Sequence, residues 1–189
     1  GIHERGKEIP KLTRDLSKRL IYCVLYGGGA KKTGSIIAPK ESEHKQYEKG
    51  KQTIDTFYQN LPAIKKLKDQ VESTLSNRDY LIGIDGRHLQ IRSKHSALNQ
   101  LLQSTGAITV KKATTILYDD MTDKGLKFFK DWGFVAHVHD EYQCLLRPEY
   151  TDLFQELAID SFRKSGEYFK LKCPLTGEAK IGKNWCETH

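Results

Sequence analysis

Arg14, Lys18, Tyr22 and Tyr26 recur at every fourth position. A step of four drifts by only about 40° around a helix of roughly 3.6 residues per turn, so the four share one broad face spread over about 120° and about 18 Å of axis. That face opens with two cations and closes with two aromatic rings. Cations grip phosphate, and rings take a base or a sugar. On spacing alone an amphipathic helix with snorkelling basic residues and core tyrosines fits as well. A second constellation, Val138-His139-Asp140-Glu141, lies between two apolar runs. Adjacent residues of an extended segment point to opposite faces, but a tight turn can bring both carboxylates to one edge. Two carboxylates suit Mg²⁺, which takes oxygen ligands and keeps waters and phosphates for the rest. The plain alternative is a polar hairpin tip with solvated charges. His137 and His139 also raise a zinc site, but His44, His88 and His95 offer no matching local spacing.

The elements that must position these groups follow from periodicity and breakers. Residues 14–26 read as a helix with Thr13 as N-cap candidate, Asp15 in the first turn and Gly27, Gly28 and Gly29 at its end. GGGAKKTG lacks the Gly-Lys-Ser/Thr ending of a phosphate loop, since Ser35 follows Gly34 directly, so it reads as a flexible helix exit into the polar stretch 31–44. A helix is predicted over 41–59, with Tyr47, Ile54, Phe57 and Tyr58 facing inward, and Pro62 opens another with Ile64, Leu67, Val71 and Leu75 on one side. Over 80–92 the period changes, and two short apolar runs flank Asp85-Gly86, a dipeptide preferred in tight hairpin turns. From Ser96 to about Asp120 a long helix is expected, striped by Leu98, Leu101, Leu102, Thr105 and Ile108. Residues 133–146 read as two strands around His-Asp-Glu, residues 149–165 as a helix, and the tail GEAKIGKNWCETH as a short strand and coil.

Composition bounds the partners. Thirty-one Lys and Arg against 24 Asp and Glu give a charge of +7, which favours an anionic partner such as nucleic acid. Cys23, Cys144, Cys173 and Cys186 form no Cys-x-x-Cys pair, so a zinc ribbon is disfavoured and reduced, buried thiols in a cytoplasmic protein are expected. No apolar run is long enough to span a bilayer, so no membrane partner is expected. The polar start GIHERGKEIP is no signal peptide and lacks an initiator Met, which suggests either a beginning within a larger polypeptide or a processed start.

Arg-x3-Lys-x3-Tyr-x3-Tyr-Gly resembles motif B of family A (polymerase I-type) DNA polymerases, and Val-His-Asp-Glu resembles their motif C. Asp85-Gly86-Arg87 with Arg92 is similar to the hairpin before the family's long palm helix, and Ala97-Leu98-Asn99-Gln100-Leu101-Leu102-Gln103-Ser104 to the segment that reads duplex minor-groove acceptors. The ending Gly182-Lys-Asn-Trp-Cys-Glu-Thr-His189 resembles the family's C-terminus. The likeness is closest to the podophage members, where Tyr rather than Phe stands at the Tyr22 position. It implies an α+β fold: helical fingers over 1–78, with the motif B helix at 14–27, and a C-terminal palm over 79–189, with the motif C hairpin at 133–146 and flanking helices.

The same resemblance implies roles. Nucleotide binding falls on His3, Arg14, Lys18, Tyr22 and Tyr26, although His3 stands one residue nearer to Arg14 than the family spacing. Catalysis falls on Asp140, Glu141 and Lys18, and metal binding on Asp140, which would share two Mg²⁺ ions with a motif A aspartate. DNA contacts fall on Arg87, Arg92, Asn99, Gln103, His139 and His189. Motif A, the thumb and the exonuclease are not recognisable in the chain. The expectation is therefore a fragment or split subunit, inactive alone, of a template-dependent nucleotidyltransferase, with primer-template DNA, dNTP and a second polypeptide carrying motif A and thumb as partners, in the host cytoplasm if phage-encoded. The rival class is a non-catalytic DNA-binding accessory protein derived from a polymerase.

Overall fold

The computed structural model describes residues 13–138 and 140–188. It is α+β: helices carry most of the chain, and among the described residues the strands form two separate two-stranded hairpins. Two compact units emerge. The first runs to Leu81 and takes in Leu89–Leu101; the second holds Ile82–His88 and continues from Leu102.

In the first unit, α1 (Arg14–Leu25) starts at Thr13, whose extended backbone leaves Oγ1 to accept from Leu16 N at 3.3 Å. Such a cap contributes about 1 kcal/mol. It ends where Gly27 N donates to Val24 O and Gly28 N to Cys23 O, with Gly27 at φ 81°, a left-handed backbone that a side chain would strain. The segment beyond is not the expected flexible exit. Ala30–Ile37 form a helix, α2, packed on α3 (Glu43–Asn60). Close approach explains it: a Cβ on Gly34 would lie 1.7 Å from Gln46 O, and one on Gly50 1.9 Å from Ala30 O. Burial of Thr33 and Gly34 stabilises a segment that looks polar in one dimension. Because this glycine contact sets the inner face of α3, Gly50 is buried and Tyr47 is left exposed, contrary to expectation.

α4 (Pro62–Asn77) buries Val71 and Leu75 against Leu81, Ile91, Ala97 and Leu98, with Leu67, Leu89 and Leu101 around them. The predicted hairpin is present as β1 (Tyr80–Ile82) and β2 (His88–Gln90); its chain reverses over Ile84-Asp85-Gly86, with Gly86 N on Gly83 O and Gly83 N on Arg87 O.

α5 (Ala97–Asp123) is the long helix, but its apolar residues do not form one stripe. Ala97 and Leu98 belong to the first cluster, whereas Leu117 and Met121 join the second. Serving two cores rotates the buried face along the helix, and Leu102, near the change-over, is exposed.

The second cluster adds Leu126, Trp132, Leu157 and Ala158, ringed by Phe128, Phe134, Tyr142, Leu146 and Phe154. Trp132 meets Phe128 and Phe134 edge-on at 5.0 and 5.1 Å. Each such pair adds about 0.5–1.5 kcal/mol beyond area burial. This floor supports β3 (Trp132–Val138) and β4 (Glu141–Leu146), backed by α6 (Thr151–Tyr168). No strand forms among the described residues of the tail. Its local hydrogen bonding instead favours a short helix, α7 (Trp185–Thr188), for which Asn184 Oδ1 accepts from Glu187 N at 3.3 Å. No helix among the described residues is long and apolar enough to cross a membrane.

Candidate active-site elements

α1 divides cleanly. Leu20, Cys23 and Val24 are buried, while Arg14, Lys18, Tyr22 and Tyr26 are all exposed. The rings of Tyr22 and Tyr26 stack at 5.5 Å with 10° between their planes. The face is therefore an open platform, and the tyrosines are not core residues. Among the described residues neither Arg14 nor Lys18 is ion-paired. The helix is anchored from below, where Cys23 Sγ lies 3.7 Å from Thr33 Oγ1.

In the second unit, β3 and β4 pair antiparallel from Trp132↔Leu146 to Val138↔Glu141, with an irregularity between Phe134 and Ala136. Asp140 is exposed, and Glu141, paired with Val138, heads β4. Both line one cleft of about 470 Å³, together with Gln143, Gln155, Glu178 and Thr188. Gln143 Nε2 donates to Glu141 Oε1 at 3.2 Å, and Thr188 Oγ1 donates to Gln143 Oε1 at 3.3 Å. Below them, Tyr142 stacks on Phe162 at 5.9 Å, and its hydroxyl lies 3.4 Å from both Ala158 O and Ser161 Oγ. Burial pushes the Tyr142 phenol up to about 12, against the opposing hydrogen bond from Ser161. Burial likewise pushes the Cys144 thiol up to about 12. Both groups therefore stay protonated at neutral pH.

The other candidates are spread more widely. Arg87 is exposed and its guanidinium meets Asp85 Oδ2 at 2.7 Å. Burial raises the Asp85 carboxyl, but hydrogen bonds and charge from Arg87 outweigh it and hold the group below its usual range. Arg92 and Gln103 are exposed, whereas Asn99 is half-buried with an Oδ1 that meets no hydrogen-bond partner among the described residues. His3, His139 and His189 lie outside the described residues. Of the cysteines only Cys23 is buried; Cys144 is half-buried, and Cys173 and Cys186 are exposed because they sit in the coil and helix of the tail rather than in a core.

The model of DNA polymerase family A matches residues 2–187. This chain belongs to that family. The DNA-directed DNA polymerases of Enterobacteria phage T3 and Escherichia phage T7 are each 34% identical to it across the whole chain, which spans 28% of their length. DNA polymerase I of Aquifex aeolicus is 24% identical over 96% of the chain and 31% of its own length. The polymerase domain of Pol1 from M. smegmatis, solved with primer-template and dNTP, superposes with a TM-score of 0.70 at 18% identity, covering 84% of this chain and 28% of that one. That likeness speaks for the fold. The phage-type resemblance read from the motifs is thereby borne out.

Two residues of this family A chain escape a motif reading, Gln143 and Thr188. A signal existed for the first: in a strand, Gln143 stands two residues from Glu141 and so shares its face. No local signal exists for Thr188, which reaches the hairpin from 45 residues away.

Proposed function

We propose that the chain supplies the fingers (residues 1–78) and C-terminal palm (residues 79–189) of a template-directed DNA polymerase that joins dNTPs to a primer 3′-hydroxyl. One observation carries the reading. In a family A chain, the motif B cations and rings stand exposed on one helix face, while Asp140 and Glu141 open into one cleft.

On this reading Arg14 and Lys18 hold the triphosphate and offset the charge that builds on it as the primer oxygen attacks the α-phosphorus. The bond to the bridging oxygen breaks, and pyrophosphate leaves. Tyr22 lies by the sugar and Tyr26 by the templating base, with His3 as a further phosphate ligand. Arg87, Arg92, Asn99, Gln103, His139 and His189 contact the DNA. Among the described residues no three His, Cys, Asp or Glu side chains converge. On this reading Asp140, with Glu141 beside it, is half of a magnesium site, in keeping with an ion that takes few protein carboxylates and fills its shell with phosphate and water. When bound, two Mg²⁺ ions would supply charge neutralisation at the attacking and leaving oxygens. Asp140 would hold both ions jointly with a motif A aspartate from a second polypeptide that also carries the thumb, with or without an exonuclease. The setting is the cytoplasm in which that polymerase works.

The test is reconstitution. The chain is mixed with a polypeptide bearing family A motif A and thumb, and magnesium-dependent extension of a primed template is followed. Extension that vanishes with Asp140→Ala supports the reading. A well-formed complex that binds DNA but never extends it overturns the reading in favour of the accessory-protein alternative.

A further inference from the structure

We infer that Gln143 is a positioning residue that couples Glu141 to the C-terminal helix α7. The inference rests on the reading of Asp140 and Glu141 as an acidic half-site, and it names one contact that orients the second acid on that side of the cleft.

Glu141 and Gln143 lie two residues apart in β4, on one face of the strand. The primary amide has one donor end and one acceptor end, and here each is used. Nε2 donates to Glu141 Oε1 at 3.2 Å, and Oε1 accepts from Thr188 Oγ1 at 3.3 Å. The threonine shares its proton with the Trp185 carbonyl at 3.1 Å. A carboxylate acceptor makes the first bond the stronger of the two and fixes which way the amide points. Across the strand, Gln143 faces Ala136, whose methyl group takes little space above the sheet.

α7 needs such an attachment. Its four residues are too few to hold a helix by themselves. Local bonds shape it: Asn184 Nδ2 donates to Glu187 Oε1 and Lys183 N to Glu187 Oε2, both at 2.8 Å. Those bonds stay within the tail. The Thr188–Gln143 bond provides a link, and through it the docking of the tail and the rotamer of Glu141 become one equilibrium. Tail docked, the amide is held and the acid faces the cleft; tail released, the amide turns freely and its grip on the acid weakens.

Acrylamide quenching of tryptophan fluorescence in the 189-residue chain tests this without any activity. Trp132 is 2% exposed and nearly silent, whereas Trp185 is 49% exposed and rides on α7. Gln143→Leu and Thr188→Val should raise quenching, each shifting the ratio of docked to released helix about fivefold, the ordinary net worth of one hydrogen bond. Thr188→Ser, which keeps the hydroxyl, should behave as wild type. If Gln143→Leu fails to fold, Thr188→Val carries the test, since it removes one hydroxyl from the surface. Unchanged quenching in the folded variants overturns the proposal. In the reconstituted polymerase Gln143→Leu and Thr188→Val should each lower kcat severalfold at unchanged KM for dNTP, whereas Thr188→Ser, which keeps the hydroxyl, should retain the wild-type kcat. An unchanged kcat beside an active wild type also overturns it. A wild type that extends no primer counts against the polymerase reading instead and leaves quenching to decide.

Discussion

α1 and the β3–β4 hairpin both present candidate chemistry, but they obtain it differently. On α1 the exposed face follows from a period and two ends: the spacing of four, the Thr13 cap and the Gly27-Gly28 stop. Replacing a neighbour would scarcely move Arg14 relative to Lys18. At the hairpin, Asp140 and Glu141 share a cleft only because Val138 pairs with Glu141, an irregularity adjusts β3, and an aromatic floor holds both strands. A slip of one residue would send Glu141 to the other face. A recognition surface can thus be written in a short stretch of sequence, whereas an acidic site has to be assembled by tertiary packing.

Four experiments bear on that contrast. The largest effect belongs to the hairpin: Asp140→Ala in the reconstituted enzyme should reduce extension on the order of 10²–10³-fold or more, with duplex affinity little changed. Extension assays paired with fluorescence anisotropy check it, and retained extension would sink the role of the acid.

Next is the support beneath α1. Gly34→Ala should destabilise the first unit by about 1–3 kcal/mol through overpacking against Gln46, without disturbing the hairpin. Denaturant melts, with Trp132 and Trp185 reporting the second unit, would show early loss of helix and an unmoved tryptophan transition. A joint shift of both would break the contrast.

A smaller effect concerns recognition alone. Tyr22→Phe should increase discrimination against dideoxynucleotides about tenfold, since a phenol can replace the hydrogen bond of a missing sugar hydroxyl. Equal discrimination by both forms would remove that role.

The smallest effect is alkaline. Tyr142 and Cys144 are both held at about 12, above ordinary values of 10.0 and 9.0. A folded pKa raised in this way leaves stability intact below pH 9 and removes it as pH climbs through 12. The melting temperature should fall across that window, and Cys144→Ala should lessen the fall. Thiol labelling at pH 8 should modify Cys173 and Cys186 well before Cys23 and Cys144.

The sequence disclosed what is local. The cap, the α1 face, the Asp85-Gly86 reversal and the acidic turn were all legible, because each depends on residues within one or two turns of chain. Burial decided by distant partners stayed hidden. α2 looked like coil because its apolar content is low and its stability comes from Gly50 of another helix. Tyr47 looked internal because aromatic content was read without knowing that Gly50 sets the facing side. Leu102 matched a stripe that α5 abandons when it passes from one cluster to the next. The ending 182–189 was legible as a family-like segment, but nothing local singles out Thr188 as the residue that bonds Gln143.

The paired glycines of α2 and α3 have a mechanical consequence. Each opens a socket for the opposing backbone, Gly34 for Gln46 and Gly50 for Ala30, and the two sockets are separated along the axis. Translating one helix past the other would drive side chains into both at once. The pair can part like the leaves of a book, but it resists sliding, so any movement of the ground beneath α1 has to be a tilt.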